Sequence, residues 1–137
     1  MYGSMGAQAA GARMVRSFSE LRVYQLAFDA AMRIYRFTKA WPAEERFGLT
    51  SQIRRSSASI GANLAEGCGR RSDGEMARYV QIAMGSGAEL SYHLLLARDL
   101  GLLTKQCFED LQTHVSEVMR MLSALSLKVR TTPLRSS

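Results

Sequence analysis

Residues 43–132 contain no proline, and within them apolar side chains recur every three or four positions. The most regular run is Met76, Val80, Ala83, Gly87, Leu90, Leu94, Ala97 and Gly101, which steps 4-3-4-3-4-3-4. That period lays one stripe along one face of an α-helix and does not fit the two-residue period of a strand. Two similar seams flank it. Val23, Ala27, Ala30, Ile34, Phe37 and Trp41 step 4-3-4-3-4, and Phe108, Leu111, Val115, Val118, Leu122, Leu125 and Val129 step 3-4-3-4-3-4. A fourth stripe, Leu49, Ile53, Ser57, Ile60 and Leu64, is set among small residues. Four such helices with short connections bury their seams against one another, which predicts an all-α, antiparallel up-down-up-down four-helix bundle.

Punctuation residues set the expected bounds. Ser19 and Glu20 open the first helix, which runs to about Ala40 ahead of Pro42. The second is expected from Glu44 to Gly67, with Gly67 or Gly69 as a left-handed cap. Ser72-Asp73-Gly74-Glu75 is a capping box for the third helix, while Gly101 ends it and Thr104 starts the fourth. The bundle thus spans residues 18–130, between a tag-like or disordered leader (1–17) and a flexible tail (131–137).

Two stretches need neighbours to make sense. Ser56, Ala58, Ser59, Gly61, Ala62 and Ala65 leave the second helix poor in bulk, so its stability is expected from close backbone approach. Asn63 among them is a polar group able to fix register. Gly85-Ser86-Gly87 lies in a helix interior, where each glycine costs about 1 kcal/mol relative to alanine. A tight crossing with the second helix is the expected compensation. The first helix is unusual in the other direction. Tyr24, Phe28, Ala31 or Met32, and Tyr35 form a second apolar stripe beside its core seam, either a generous core or an oligomer contact through Tyr24, Phe28 and Tyr35.

The net charge of +6 invites a nucleic-acid reading, but residues 18–127 carry 13 cations against 12 acids. The excess sits near the ends, in Arg13, Arg16, Lys128, Arg130 and Arg135. Two cysteines make no disulfide framework, no apolar run is long enough for a membrane span, and no secretory h-region is present, so a cytoplasmic protein is expected.

Catalytic signatures are missing. Neither His93 nor His114 has a Glu three residues earlier, so the Glu-x-x-His pattern of metal-binding bundles is absent. Glu89 and His93 are spaced for a surface pairing. The serines at 56, 57 and 59 have no histidine near in sequence, and Gly67-Cys68-Gly69-Arg70-Arg71-Ser72 follows a helix and lacks the Lys of a phosphate loop. No metal, cofactor or catalytic residue is expected, and the chain reads as a non-enzyme. Arginine is the remaining candidate: Arg54, Arg55, Arg70 and Arg71 either bind nucleic-acid phosphates or tie helices and subunits together through carboxylates. A different possibility is a small-molecule or enzymatic site in a polar interior lined by Asn63, Glu66 and Glu89.

The residues also carry a resemblance. Phe18-Ser19-Glu20-Leu21-Arg22-Val23-Tyr24-Gln25, the segment from Arg46 to Arg55, and Ser59-Ile60-Gly61-Ala62-Asn63-Leu64-Ala65-Glu66-Gly67 resemble the four-helix bundle proteins encoded by 23S rRNA intervening sequences. Gly69-Arg70-Arg71-Ser72, the Gly85-Ser86 and Glu89-Leu90 segment, and Leu95 through Gly101 are similar as well. The accessory proteins of diversity-generating retroelements resemble this family more remotely. The resemblance implies an antiparallel bundle that assembles as a homopentameric ring, with no known enzyme activity. It also implies an association with RNA or another nucleic acid.

Overall fold

A computed structural model describes residues 18–131, with side chains described for 22–130. The expected leader and tail, and the Ser19 cap, lie outside what is described. Four helices follow one another: α1 (Phe18–Thr38), α2 (Leu49–Cys68), α3 (Asp73–Asp99) and α4 (Lys105–Thr131). Each packs on its sequence neighbours, and α1 closes the square against α4. The order is antiparallel, as contacts along α2 and α3 show: Arg55 meets Glu89, Ser59 meets Ser86, and Gly67 lies over Met76. The architecture is the all-α four-helix bundle that the periodicity predicts.

The seams are the core. Val23, Ala27, Ala30 and Ile34 of α1 are buried, as are Leu49, Ile53, Ile60 and Leu64 of α2, Met76 through Ala97 of the α3 seam, and the α4 seam from Phe108 to Val129. Phe37 and Trp41 pack against this core from its edge, their ring centroids 5.9 Å apart. Removal of these faces from water, on the order of 1.5–3 kcal/mol for each large aliphatic side chain, is what holds four individually marginal helices together.

The ends follow their sequence signals with two exceptions. Ser72 Oγ accepts the Glu75 N–H at 3.1 Å, and Thr104 Oγ1 accepts the Cys107 N–H at 3.1 Å. Gly101 takes a φ of 78°, so that the Leu102 N–H reaches the Ala97 carbonyl and its own N–H reaches Arg98, closing a Schellman turn. The second helix, however, starts at Leu49 and not at Glu44. Pro42 launches a separate 3-10 turn at Ala43–Glu45, and Gly48, at φ −109° and ψ −113°, breaks the path before α2 begins. Nor is its far end left-handed: Gly69 has φ −85°, and Gly67 lies buried inside the helix. There a Cβ would stand 2.9 Å from both Met76 Sδ and Tyr79 Cβ. Gly67 is a close-approach glycine and not a cap.

The glycine pair of α3 also departs from expectation. At Gly87 the close neighbour is Met119 of α4, not α2, while a Cβ on Gly85 would meet nothing within 4 Å. Only Ser86 faces α2, where its hydroxyl shares a 2.7 Å hydrogen bond with Ser59. Of the small residues on α2, Ser56 and Gly67 are buried towards α3 and Gly61 lies against Tyr24, but Ala58, Ala62 and Ala65 are exposed.

Candidate functional site

The four arginines do not form one cluster. Arg54 and Arg70 are separated by about 24 Å of helical rise along α2, so the two pairs occupy opposite ends of that helix. Arg54 serves the C-terminus of α1. Its Nε donates to Thr38 Oγ1 at 2.8 Å, and its guanidinium lies 4.9 Å from the Tyr35 ring centroid. A cation there complements the helix dipole and stacks on a ring face. Arg55 donates to Gln52 and forms an ion pair with Glu89, joining α2 to α3. Arg70 pairs with Glu66, donates to Tyr79 Oη at 2.9 Å and stands 3.9 Å from Glu75. Tyr79 first, then Glu66, holds its pKa above the ordinary arginine value, so it stays cationic. Arg71 is exposed and pairs with no carboxylate among the described residues.

Asn63, Glu66 and Glu89 do not converge on an interior site. Asn63 is half-buried and donates to the Ser59 carbonyl at 2.8 Å and to its hydroxyl at 3.0 Å. Together with Ser86 this makes a short polar chain between α2 and α3. Glu66 lies on the surface with Arg70, while Glu89 faces Arg55 nearly three turns away along α2.

A buried histidine escaped the sequence reading. His93 is 7% exposed, not a surface partner of Glu89, and its Nδ1 lies 3.0 Å from Ser56 Oγ. Its Nε2 is 3.7 Å from Glu89, which Arg55 holds from the other side. Burial pushes the His93 pKa below its ordinary value; Glu89 opposes that shift and Arg55 adds to it. Ser56 therefore does have a histidine beside it, contrary to expectation, because the antiparallel register brings together residues 37 apart. The trio has the composition of a nucleophilic triad but not its access. Ser56 is 0% exposed and its Oγ also faces the Ile53 carbonyl, so no substrate atom can reach it. It works as a tie between helices. His114 makes a second tie, from α4 to the Leu26 carbonyl of α1 at 2.8 Å. Among the described residues no group of His, Cys, Asp and Glu could hold a metal ion. Cys68 and Cys107 lie at opposite ends of the bundle, and no described helix is long and apolar enough to cross a membrane.

What the surface does offer is apolar. On α1, Phe28, Met32 and Tyr35 are exposed, with Tyr24 half-buried beside them. On α3 a second outward stripe comprises Ile82, Gly85, Tyr92, Leu96 and Leu100, with Tyr92 59% exposed. The sequence signal was present as a second seam beside the core one, one helical face around, but the stronger core seam masked it. Since α1 and α3 are diagonal in the square, the two stripes lie on opposite sides of the bundle. Phe47 adds an isolated exposed ring in the α1–α2 connection, under the Arg46 guanidinium.

Comparison with known proteins agrees with this architecture. Residues 19–124 match the family described as 23S rRNA-intervening sequence protein. A crystal structure of a protein of unknown function from the S23 ribosomal protein family of Bacteroides thetaiotaomicron superposes with a TM-score of 0.74 at 25% identity. That similarity covers 80% of this chain and 98% of the Bacteroides chain. No curated protein matches the chain.

Proposed function

The chain belongs to the 23S rRNA-intervening sequence protein family, and from that premise we propose that it is a non-enzymatic scaffold, a bundle that assembles with copies of itself and associates with nucleic acid. The pair of exposed apolar stripes on diagonal helices carries the first part. Two different sticky faces on opposite sides of one molecule favour head-to-tail contacts, which close into a ring when the rotation permits. The ring of five is what the family resemblance implies. Tyr24, Phe28 and Tyr35 are the α1 side of that contact, and Ile82, Tyr92 and Leu96 the α3 side. The family's description and the arginine-rich basic balance support the nucleic-acid part, with RNA the expected partner. Of the four arginines singled out, Arg71 is the one with no carboxylate, hydroxyl or ring partner among the described residues, since Arg54 is held by Thr38 and Tyr35. The two cysteines and the composition suit the reducing cytoplasm.

Sedimentation velocity tests the assembly. The intact chain should run well above its 15.2 kDa protomer mass, while Phe28→Glu and Tyr92→Glu should each sediment as monomers. Mixed, the two variants should form a one-to-one dimer, because each retains the face that the other lacks. A strictly monomeric wild-type chain at micromolar concentration sinks the scaffold. Variants that each remain dimeric would instead mean that like faces pair, and the ring would be wrong.

A further inference from the structure

The topology sorts the charge. Both chain ends meet the bundle at one pole, where α1 starts, α2 ends, α3 starts and α4 ends. Divided at the helix midpoints, the half at this pole (residues 18–28, 59–86 and 118–131) holds seven cations and four acids. The other half (29–58 and 87–117) holds eight of each. Outside residues 18–131 the sequence adds Arg13, Arg16 and Arg135 and no acid. The net +3 of residues 18–131 therefore belongs to the half at this pole. Residues 18–127 stay near neutral in both halves, and most of the excess at the pole comes from Lys128 and Arg130 in the last turn of α4.

Of the cations at the pole, Arg120 pairs with Glu117 just across the division, while the described acids at the pole turn to Arg70 or inward. Glu66 and Glu75 both turn to Arg70, and Asp73 is buried. Arg22, Arg71, Arg78 and Arg130 are exposed and pair with no carboxylate among the described residues. They come from all four corners: the second turns of α1 and α3, the turn after α2, and the last turn of α4. Six of the seven cations in this half are arginines, whose planar fork suits two oxygens of one phosphate.

We propose that this terminal pole is the nucleic-acid contact: it grips the phosphate backbone of RNA without reading bases, while Arg54 and Arg55 on the neutral half serve the fold. The inference rests on the nucleic-acid reading above and assigns that reading a place. It also fits the side-to-side assembly. In a ring whose axis runs along the bundles every copy turns the same pole to the same side, so the charge adds across protomers.

Charge-matched variants of the full chain test it. Arg71→Gln, Arg78→Gln and Arg130→Gln remove three cations from the pole. Arg36→Gln, Lys39→Gln and Arg46→Gln remove three from the other half, so both variants have the same net charge. Each is titrated against a mixed-sequence single-stranded RNA over a range of salt, with circular dichroism confirming equal helicity. Each lost phosphate contact lowers the log–log salt slope by about 0.7 on a single strand. The pole variant should therefore lose about 2 from the wild-type slope, and the matched control should keep it. Equal losses in the two variants overturn the location and leave the nucleic-acid reading standing. A wild-type chain that does not bind this RNA at low salt overturns that reading itself. Tighter binding to anionic phosphatidylserine vesicles than to RNA overturns the partner class.

Discussion

Gly85 lets the stability of the protomer and the proposed self-association be tested separately. It lies in the interior of α3, exposed, with open space where a Cβ would be. Nothing among the described residues explains a glycine that costs about 0.8–1 kcal/mol relative to alanine there. Its place explains it better: it sits on the outward stripe one turn after Ile82 and two turns before Tyr92, where a neighbouring bundle can approach the backbone closely. Gly85→Ala in the Tyr92→Glu background, which holds the chain as a monomer, should raise the unfolding free energy by about 1 kcal/mol. For a bundle of this size that is a rise of roughly 3–5 °C in Tm. In the otherwise wild-type chain the same substitution should weaken self-association, because the added methyl stands in the contact. Urea titration of the monomer and sedimentation of the assembly read the two effects independently. Destabilisation of the monomer would refute the open-space reasoning, and unchanged association would remove the subunit explanation for the glycine.

Gly67→Ala should have the opposite sign. Its Cβ would press on Tyr79 Cβ, which cannot swing away, so overpacking of about 1–3 kcal/mol outweighs the helix-propensity gain and the urea midpoint falls; a raised midpoint would mean that α2 and α3 are not in close contact there. His93 should make stability depend on pH. Its folded pKa lies below the ordinary 6.5, so the unfolded chain binds the extra proton first. Stability from this group is whole above 6.5 and is lost as the pH falls below it. His93→Gln should flatten that part of the profile in urea titrations between about pH 5 and pH 8, and identical profiles would show that burial does not penalise the imidazolium.

The bundle was legible because period and punctuation agree along most of the chain. Every seam residue from Met76 to Ala97 is buried, and Ser72, Gly101 and Thr104 end helices as their chemistry demands. The failures fall where the outcome depends on a neighbouring helix. A glycine near a helix end looks like a cap, but position 67 needs a glycine because Met76 and Tyr79 lie against it. Glu44 lies two residues after a proline and looks like a first turn, but Gly48 interrupts the path. His93 looks like a surface residue until the register places Ser56 beside it. Arg54 and Arg55 are adjacent in sequence yet point to different helices, one to Thr38 of α1 and the other to Glu89 of α3.

The same geometry explains why the function was harder to read than the fold. Neighbouring positions on a helix are turned by about 100°, so Gly85, Ser86 and Gly87 address three different surroundings. Gly87 yields to Met119 of α4, Ser86 bonds to Ser59 of α2, and Gly85 opens outward. A sequence reading that treats the three as one motif assigns them one helix crossing and leaves no residue for an outer surface. Once they are separated, the glycine without an internal reason falls in line with Ile82, Tyr92, Leu96 and Leu100, and those exposed apolar side chains lack an internal reason too. A bundle that keeps such a stripe on α3 and another on α1, with its net charge at one pole, has sides suited to copies of itself and an end suited to a polyanion. The Ser56, His93 and Glu89 trio adds nothing to either surface, because its serine and histidine are sealed between α2 and α3.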